Sequence, residues 1–216
     1  MKVLIVAKAP VPGLVKTRLG AVIGAEEAAE LAAAALLDTI EACALTGVEG
    51  HLSLAGDLGN AVHGGAISAA LTGWTITPQR GEGFAERLVN AHADAGSGVV
   101  VQIGMDTPQV TPAALTAVAQ QLDGHDAALS PATDGGWWAL ARRDPDVVRH
   151  LVDVPMSTGT TFADTQRALE RAGGRVAHGD AMTDVDTVED ADHVAALVPD
   201  TRFARVWLRV REGDLR

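Results

Sequence analysis

Short apolar runs rich in β-branched residues alternate with alanine-rich and leucine-rich stretches along the chain. The runs at 2–7 and 98–104 predict buried strands, and the stretch at 25–46, which is acidic at its start and followed by Gly47, predicts a long helix. No linker or internal repeat interrupts this alternation. We therefore expect one domain over 1–216, folded as a three-layer α/β/α sandwich around a mostly parallel sheet, with its ligand at the carboxyl ends of the strands.

The remaining elements follow from the same patterns. We predict strands at 51–55, 74–77, 126–130 and 137–141, and helices at 83–95, from Thr111-Pro112 onward, at 162–172 and at 188–197. The segment 56–71 gives no clear pattern. The tail, 201–216, is a C-terminal extension whose apolar residues fit a helix and an edge strand equally well.

Composition excludes several classes of function. A formal net charge of −11 disfavours binding to a nucleic-acid backbone, which requires a surplus of basic residues. The single cysteine, Cys43, lies in an apolar helical stretch and predicts a buried, inert thiol. No signal sequence or long apolar span is recognisable, so we expect a cytoplasmic protein without membrane insertion.

A basic loop follows the first strand. Lys8, Lys16, Thr17 and Arg18 lie in it, and two of these residues are among only three lysines in the chain. Cations with a hydroxyl suit a diphosphate or triphosphate, because they neutralise charge that grows on a leaving oxygen. Val15 precedes Lys16 where a Walker loop requires glycine, so P-loop chemistry is disfavoured. Solvated surface charge is the alternative interpretation.

Two acidic segments are candidate metal ligands. Asp106 comes directly after the second buried strand, and a second cluster spans 184–190. Magnesium is typically held by one or two carboxylates together with substrate phosphates. One member of the second cluster is expected to cap the following helix, which leaves Asp186 free to point elsewhere.

A glycine turn at 133–136 and a hydroxyl-rich loop at 156–161 are candidates for contact with a sugar or an acceptor. Two glycines at the turn would let the backbone approach a ligand, and adjacent tryptophans on a strand face opposite sides, so one of them can line a pocket. The hydroxyl-rich loop could equally cap a helix. The candidate residues are Asp134, Gly135, Gly136, Trp137, Ser157 and Thr158.

Taken in order, these motifs resemble a known family. Lys8-x-Pro-x-Pro-Gly-x-x-Lys-Thr-Arg-Leu, Gly104-x-Asp-x-Pro, Pro131-Ala-x-Asp-Gly-Gly and Asp184-Val-Asp-Thr-x-x-Asp resemble bacterial glycosyltransferases of arsenosugar biosynthesis, in the GT-A nucleotide-diphospho-sugar transferase superfamily. The first and last motifs also resemble 2-phospholactate guanylyltransferase. The resemblance covers most of the chain and implies a Rossmann-like sheet.

The resemblance implies roles for individual residues. Lys16, Arg18 and Asp106 would be catalytic, and Asp106 with Asp186 would hold Mg²⁺ or Mn²⁺. The nucleotide would contact the basic loop and the segment 81–87. Family members commonly have a Gly-Asp-Leu-Gly-like loop at this place, where this chain has Gly81-Glu-Gly-Phe-Ala-Glu-Arg. Beyond the four basic-loop residues, the nucleotide-binding candidates are Pro10, Gly13, Gly81 and Gly83.

Three functions stay open at this point. The first is a metal-dependent glycosyltransferase that uses a nucleotide sugar and a small-molecule acceptor. The second is a nucleotidyltransferase that couples a nucleoside triphosphate to a small phosphorylated acid and releases pyrophosphate, which the lack of an Asp-x-Asp pair at 105–107 favours chemically. The third is a nucleotide-binding module without turnover. A homodimer is compatible with each of them.

Overall fold

The computed structural model describes residues 1–171 and 173–213, and its centre is a seven-stranded mixed sheet. The strand order is β3-β2-β1-β4-β6-β5-β7, in which β6 runs antiparallel to both of its neighbours and every other neighbouring pair is parallel. The predicted mostly parallel α/β sheet is confirmed. The strands are β1 Lys2–Lys8, β2 Glu49–Ala55, β3 Thr75–Pro78, β4 Val100–Ile103, β5 Ala127–Pro131, β6 Trp137–Arg142 and β7 Val176–His178.

Helices cover both faces of this sheet. The α-helices are α1 Thr17–Ile23, α2 Ala25–Ala44, α3 Gly64–Ala70, α4 Phe84–Ala95, α5 Pro112–Gln120, α6 Thr161–Arg171, α7 Val188–Leu197 and α8 Arg202–Gly213. Two 3₁₀ segments, Leu58–Asn60 and Pro145–Asp153, lie between them. In the described part of the chain, no helix is long and apolar enough to cross a membrane.

The core divides along the two faces of the sheet. The five residues between the ends of β1 are all buried, as expected for a central strand that is covered on both sides. Apolar residues of α2, α3 and α5 pack on one face. Residues of α4, of the segment Pro145–Asp153 and of α6 pack on the other. Cys43 is buried within α2, and burial raises the pKa of its thiol to about 12, which fits the inert role predicted for it.

The last two helices add a layer outside α1 and α2. Phe203 and Trp207 of α8 are almost wholly buried against α2 and α7, which explains their helical spacing. The tail is therefore a helix and not an edge strand as far as Gly213, and residues 214–216 lie outside the described residues.

Three differences from the predicted elements concern local structure. The basic loop is shorter than expected, because α1 begins at Thr17 and places Arg18 on a helix. The unassigned segment 56–71 contains a 3₁₀ turn and α3. Helix α6 runs from Thr161 to Arg171, while position 172, the last residue of the predicted helix, lies outside the described residues.

Candidate functional site

The carboxyl ends of β1 and β4 meet at one edge of the sheet, because these strands are parallel neighbours. The basic loop leaves β1 there, and Asp106 follows β4. Lys16 ends the loop in a left-handed backbone conformation, with φ 46° and ψ 42°, which a lysine seldom adopts. Such strain is characteristic of functional positions, and here it coincides with a lysine whose side chain points into the fold.

The ammonium group of Lys16 lies between two carboxylates. Lys16 Nζ is 2.8 Å from Asp106 Oδ1 and 3.1 Å from Asp186 Oδ1, although its side chain is only 9% exposed. Arg18, which is 75% exposed, approaches the other oxygen of Asp186 at 3.1 Å. Four residues that the sequence singled out, from three distant segments, are thus joined by direct contacts.

A backbone hydrogen bond holds the two acidic segments together. The amide of Val185 donates to the carbonyl of Asp106 at 3.0 Å, which places Asp186 beside β4. Thr187 then caps α7 in a capping box with Asp190, whose carboxylate accepts from the amide of Thr187. Asp190 is therefore occupied with the helix terminus, and Asp186 points away from it, as the sequence predicted. The structure adds that Asp186 faces Lys16.

Burial and charge act in opposite directions on these groups. Burial alone would lower the pKa of Lys16, but the neighbouring carboxylates outweigh it and raise that pKa. Burial tends to raise the pKa of Asp186, and Lys16 and Arg18 reverse this and hold it below its usual value. Lys16 also acts to lower the pKa of Asp184, but it is outweighed. Burial, together with Asp106 and Asp134, raises its pKa to about 8.

A cleft opens around this ion cluster in two connected parts. We define the basic half as a cavity of about 390 Å³ whose distinctive lining residues are Lys8, Lys16, Thr17, Gln79 and Arg87. We define the tryptophan half as a cavity of about 350 Å³ whose distinctive lining residues are Gln102, Asp134, Trp137, Met156, Thr158 and Asp184. The residues that line both are Val6, Arg18, Phe84, Asp106, Ser157 and Asp186. The two cavities thus meet at Asp106 and Asp186.

The two tryptophans differ in the way that strand alternation predicts. Trp138 is 3% exposed and belongs mainly to the core, and its indole N–H donates to the carbonyl of Asp180. Trp137 is half-buried at the wall of the tryptophan half, and Thr165 of α6 accepts its N–H at 3.0 Å. The hydrogen bond fixes the ring, so that Trp137 presents a rigid apolar wall to the cleft.

The glycine turn and the hydroxyl-rich loop pack closely together. A side chain at Gly135, which has φ of +92°, would collide with the backbone of Gly159, and the carbonyl of Gly135 accepts from the amide of Phe162. Gly135 therefore permits close approach of two loops and does not line the cleft. Its neighbours Asp134 and Gly136 line the tryptophan half, as do Ser157 and Thr158.

Four further predicted residues are not among those that line the two halves. The carbonyl of Pro10 accepts from the amide of Val62, and Gly13 is exposed with a positive φ, so both shape the loop. Gly81 and Gly83 precede α4, and a side chain at Gly81 would press on the first turn of that helix.

The sequence did not single out three side chains of the cleft. Arg87 lies in the basic half and donates from Nε to the carbonyl of Gly81 at 3.0 Å. Gln102 and Asp184 lie in the tryptophan half. Asp184 carried a signal, because it belongs to the predicted acidic cluster. Arg87 and Gln102 carried none, since a lone arginine on a helix and a lone glutamine in a strand are common.

The acidic residues fit a divalent cation only in combination with a substrate. No group of three or more His, Cys, Asp or Glu side chains within 1–171 and 173–213 is arranged to hold a metal ion. Asp106 and Asp186 nevertheless converge on one point, the ammonium group of Lys16. Two carboxylates supplemented by phosphate oxygens are the usual environment of magnesium.

Fold and cleft together define an α/β protein with the architecture of nucleotide-diphospho-sugar transferases. A provisionally assigned transferase of this class from Desulfovibrio desulfuricans G20 is 28% identical, with a TM-score of 0.80 over 99% of this chain and 95% of that one. A nucleotidyl transferase from Methanothermobacter thermautotrophicus shares the fold at 18% identity and a TM-score of 0.55, over 91% of this chain and 99% of that one. The 4-diphosphocytidyl-2C-methyl-D-erythritol synthase from Anaerococcus prevotii shares it at 11% identity and a TM-score of 0.59, over 91% and 98% of the two chains.

The family is established by a match over more than half of the chain. Residues 37–158 match DUF2064, described as an uncharacterized protein conserved in bacteria, and the chain belongs to this family. A comparison with curated proteins gave no significant match.

Proposed function

We propose that this protein is a metal-dependent transferase that uses a nucleotide-diphospho-sugar as donor and a small molecule as acceptor. The observation that carries the proposal is the meeting of the basic half and the tryptophan half at Asp106 and Asp186, both of which contact Lys16. A nucleotide sugar matches this arrangement of the cleft, because its anionic diphosphate lies between a nucleoside and a sugar. The 28% identity with the Desulfovibrio protein over 99% of the chain supports the same class of reaction.

The basic half is suited to hold the diphosphate. Lys8, Lys16, Arg18 and Arg87 concentrate positive charge in a chain whose net charge is −11, so they create a local attraction for an anion. Lys16 contributes a point charge, whereas Arg18 and Arg87 can donate paired hydrogen bonds to phosphate oxygens. As the bond from the sugar to the diphosphate breaks, these cations stabilise the charge that develops on the leaving oxygen.

Asp106 and Asp186 are the residues that would hold Mg²⁺ or Mn²⁺. Both now contact Lys16, so the arrival of a diphosphate would let Lys16 turn toward phosphate while the carboxylates turn toward the cation. A bound divalent cation would supply Lewis-acid stabilisation of the departing diphosphate. Asp134 and Trp137 line the opposite half, where the sugar and the acceptor would be positioned.

One observation favours a second candidate, a nucleotidyltransferase. Four basic side chains around one cavity are enough to hold a triphosphate, and no Asp-x-Asp pair occurs at Asp106. In that reaction a phosphorylated acid attacks the α-phosphorus, and the same cations hold the leaving pyrophosphate. The two candidates therefore use one cleft and differ in the bond that is broken.

Ligand-dependent thermal stability distinguishes these functions. With Mg²⁺ present, the protein is screened against nucleoside triphosphates, nucleoside diphosphates and nucleotide sugars, and a ligand at 100 times its Kd stabilises by about 2.7 kcal/mol. We expect the largest shift with a nucleotide sugar, and subsequent turnover without pyrophosphate. A preference for one triphosphate, with pyrophosphate released, would replace the proposal by the nucleotidyltransferase. Binding without any turnover would favour a nucleotide-binding module.

Two substitutions test the assignment of residues. Lys16→Ala is expected to weaken nucleotide binding by roughly 1.5–3 kcal/mol, because it removes a charge-assisted hydrogen bond. Asp106→Ala is expected to abolish metal-dependent turnover while the protein stays folded. Lys2→Ala, at the opposite end of β1, is the matched control, since Lys2 pairs with Glu49 far from the cleft. Equal nucleotide affinity in Lys16→Ala and Lys2→Ala would refute the assignment of Lys16.

A further inference from the structure

A chain of buried polar groups ends at the floor of the tryptophan half. It runs from Arg142 at the end of β6 through His92 of α4 to Gln102 of β4, and these side chains are 0%, 0% and 3% exposed. Arg142 Nε lies 3.1 Å from His92 Nδ1, and His92 Nε2 lies 3.2 Å from Gln102 Oε1. Gln102, the last residue of this chain of contacts, lines the cleft.

The chemistry of Arg142 fixes the direction of every bond in this chain. A guanidinium has no acceptor, so His92 Nδ1 must accept the hydrogen bond from Arg142 Nε. Burial, reinforced by the charge of Arg142, lowers the pKa of His92 to about 3, and the imidazole is neutral. Its single proton therefore lies on Nε2, and Nε2 donates to Gln102 Oε1.

The amide of Gln102 is thereby held in one orientation. Its oxygen is committed to His92, and a flip would bring the NH₂ group against an N–H. Within the described part of the chain, no protein group accepts a hydrogen bond from Gln102 Nε2. This atom is nevertheless not a buried atom without a partner, so it keeps some exposure. The NH₂ group is thus the end of the side chain that the cleft reaches.

We propose that Gln102 is a specificity-determining residue, whose NH₂ group donates a hydrogen bond to a hydroxyl of the transferred sugar. This inference rests on the proposed function, because it places the sugar beside the diphosphate in the tryptophan half. Arg142 and His92 are positioning residues that act through Gln102.

The surroundings of Gln102 favour a neutral hydroxyl over an anionic group. Asp134 lines the same cavity, and its carboxylate would repel a carboxylate or phosphate. Trp137 and Val6 supply apolar surface that suits the C–H groups of a sugar ring. A fixed hydrogen-bond donor at the floor of such a pocket also distinguishes between sugars, since a sugar without the hydroxyl would leave the amide unpaired.

The test compares a nucleoside diphosphate with its hexose ester by calorimetry. The probes are UDP with UDP-glucose and GDP with GDP-mannose, in the presence of Mg²⁺, and the pair that binds the wild type best is used. In Gln102→Leu we expect the affinity for the nucleotide sugar to fall about tenfold to hundredfold, while that for the diphosphate changes less than about twofold. Gln166→Leu, at a half-buried position of α6, is the matched substitution outside the cleft.

A second variant separates specificity from stability. Gln102→Glu keeps an oxygen for His92 Nε2 to donate to and replaces only the NH₂ group that faces the cleft, so it stays informative if Gln102→Leu fails to fold. We expect the same selective loss of sugar affinity. Nucleotide sugars that lack a single hydroxyl sharpen the test. One of these deoxy sugars should bind the wild type more weakly than the parent nucleotide sugar does, whereas Gln102→Leu should bind the two with equal affinity.

The possible outcomes separate this inference from the proposed function. If both Gln102 variants bind the nucleotide sugar as tightly as wild type does, the role of Gln102 is refuted and the transferase proposal stands. If the wild type binds no nucleotide at all, the proposed function is refuted and the inference falls with it.

Discussion

Two buried cations, Lys16 and Arg142, lie at opposite ends of the same sheet in contrasting surroundings. Lys16 is at the carboxyl end of β1 and contacts two carboxylates that open into the cleft. Arg142 is fully buried, forms no ion pair within 1–171 and 173–213, and donates instead to His92 and to the carbonyls of His92, Gly96 and Gly98. One cation has exchangeable partners, whereas the other has fixed ones.

The contrast separates a group that can take part in binding from one that holds the fold. Carbonyls of the α4 terminus and of the following turn cannot leave Arg142 without local unfolding, because they belong to the backbone. The carboxylates beside Lys16 are side chains that are 31–39% exposed, and they can reorient when a ligand arrives. Partner type, more than burial, therefore distinguishes a structural cation from a functional one.

The largest effect on stability is expected for Arg142→Met. The substitution leaves several buried carbonyls and His92 Nδ1 without a donor, so we expect a loss of about 4 kcal/mol in the free energy of unfolding. Urea denaturation measures this loss. Arg143→Met is the control, because Arg143 is 51% exposed and its ion pair with Asp123 is long at 3.5 Å. If the two variants were equally stable, Arg142 could not be a structural clamp.

A smaller effect is expected on lowering the pH. Burial and the charge of Arg142 lower the pKa of His92 from 6.5 to about 3, so the unfolded chain binds a proton that the folded chain does not. Stability from this group is complete above pH 6.5 and declines as the pH falls toward 3, by about 3 kcal/mol at pH 4.5.

Comparison with a variant isolates the contribution of His92 from those of the carboxylates. His92→Gln retains an acceptor for Arg142 but has no proton to gain, so its stability should decline less between pH 6.5 and 4.5. Urea titrations at several pH values measure both slopes. Parallel slopes for the two proteins would mean that His92 titrates normally in the folded state.

Local signals in the sequence were sufficient for much of the fold. Thr111 caps α5 with Pro112 in its first turn, and α7 spans the residues predicted for it, because caps and periodicity depend on near neighbours. The antiparallel insertion of β6 between β4 and β5 could not be predicted in this way. Strand order depends on pairings between segments that are distant in sequence, and no local pattern encodes them.

The candidate site was predictable to the extent that its residues end strands or form motifs. Asp106 and Lys16 were expected at one edge because they follow β strands, and the structure brings them within 2.8 Å. The orientation of Gln102 could not be predicted, since it depends on His92 and Arg142, which lie 10 and 40 residues away along the chain. Such a chain of contacts exists only once the sheet and α4 have packed together.

The smallest effect on stability is expected at the rim of the cleft. Arg18 is 75% exposed in its pair with Asp186, so Arg18→Ala should change the free energy of unfolding by no more than about 0.5 kcal/mol. The same substitution should weaken diphosphate binding about tenfold, because it removes one charge-assisted hydrogen bond to phosphate. Arg175→Ala, which removes a similarly exposed pair with Asp126 outside the cleft, should match it in stability and leave binding unchanged. Calorimetric titration with UDP or GDP and Mg²⁺, together with urea denaturation, measures both quantities. A loss of stability in Arg18→Ala without a loss of affinity would make Arg18 a structural cation like Arg142. The distinction between exchangeable and fixed partners would then fail at the position where it is easiest to test.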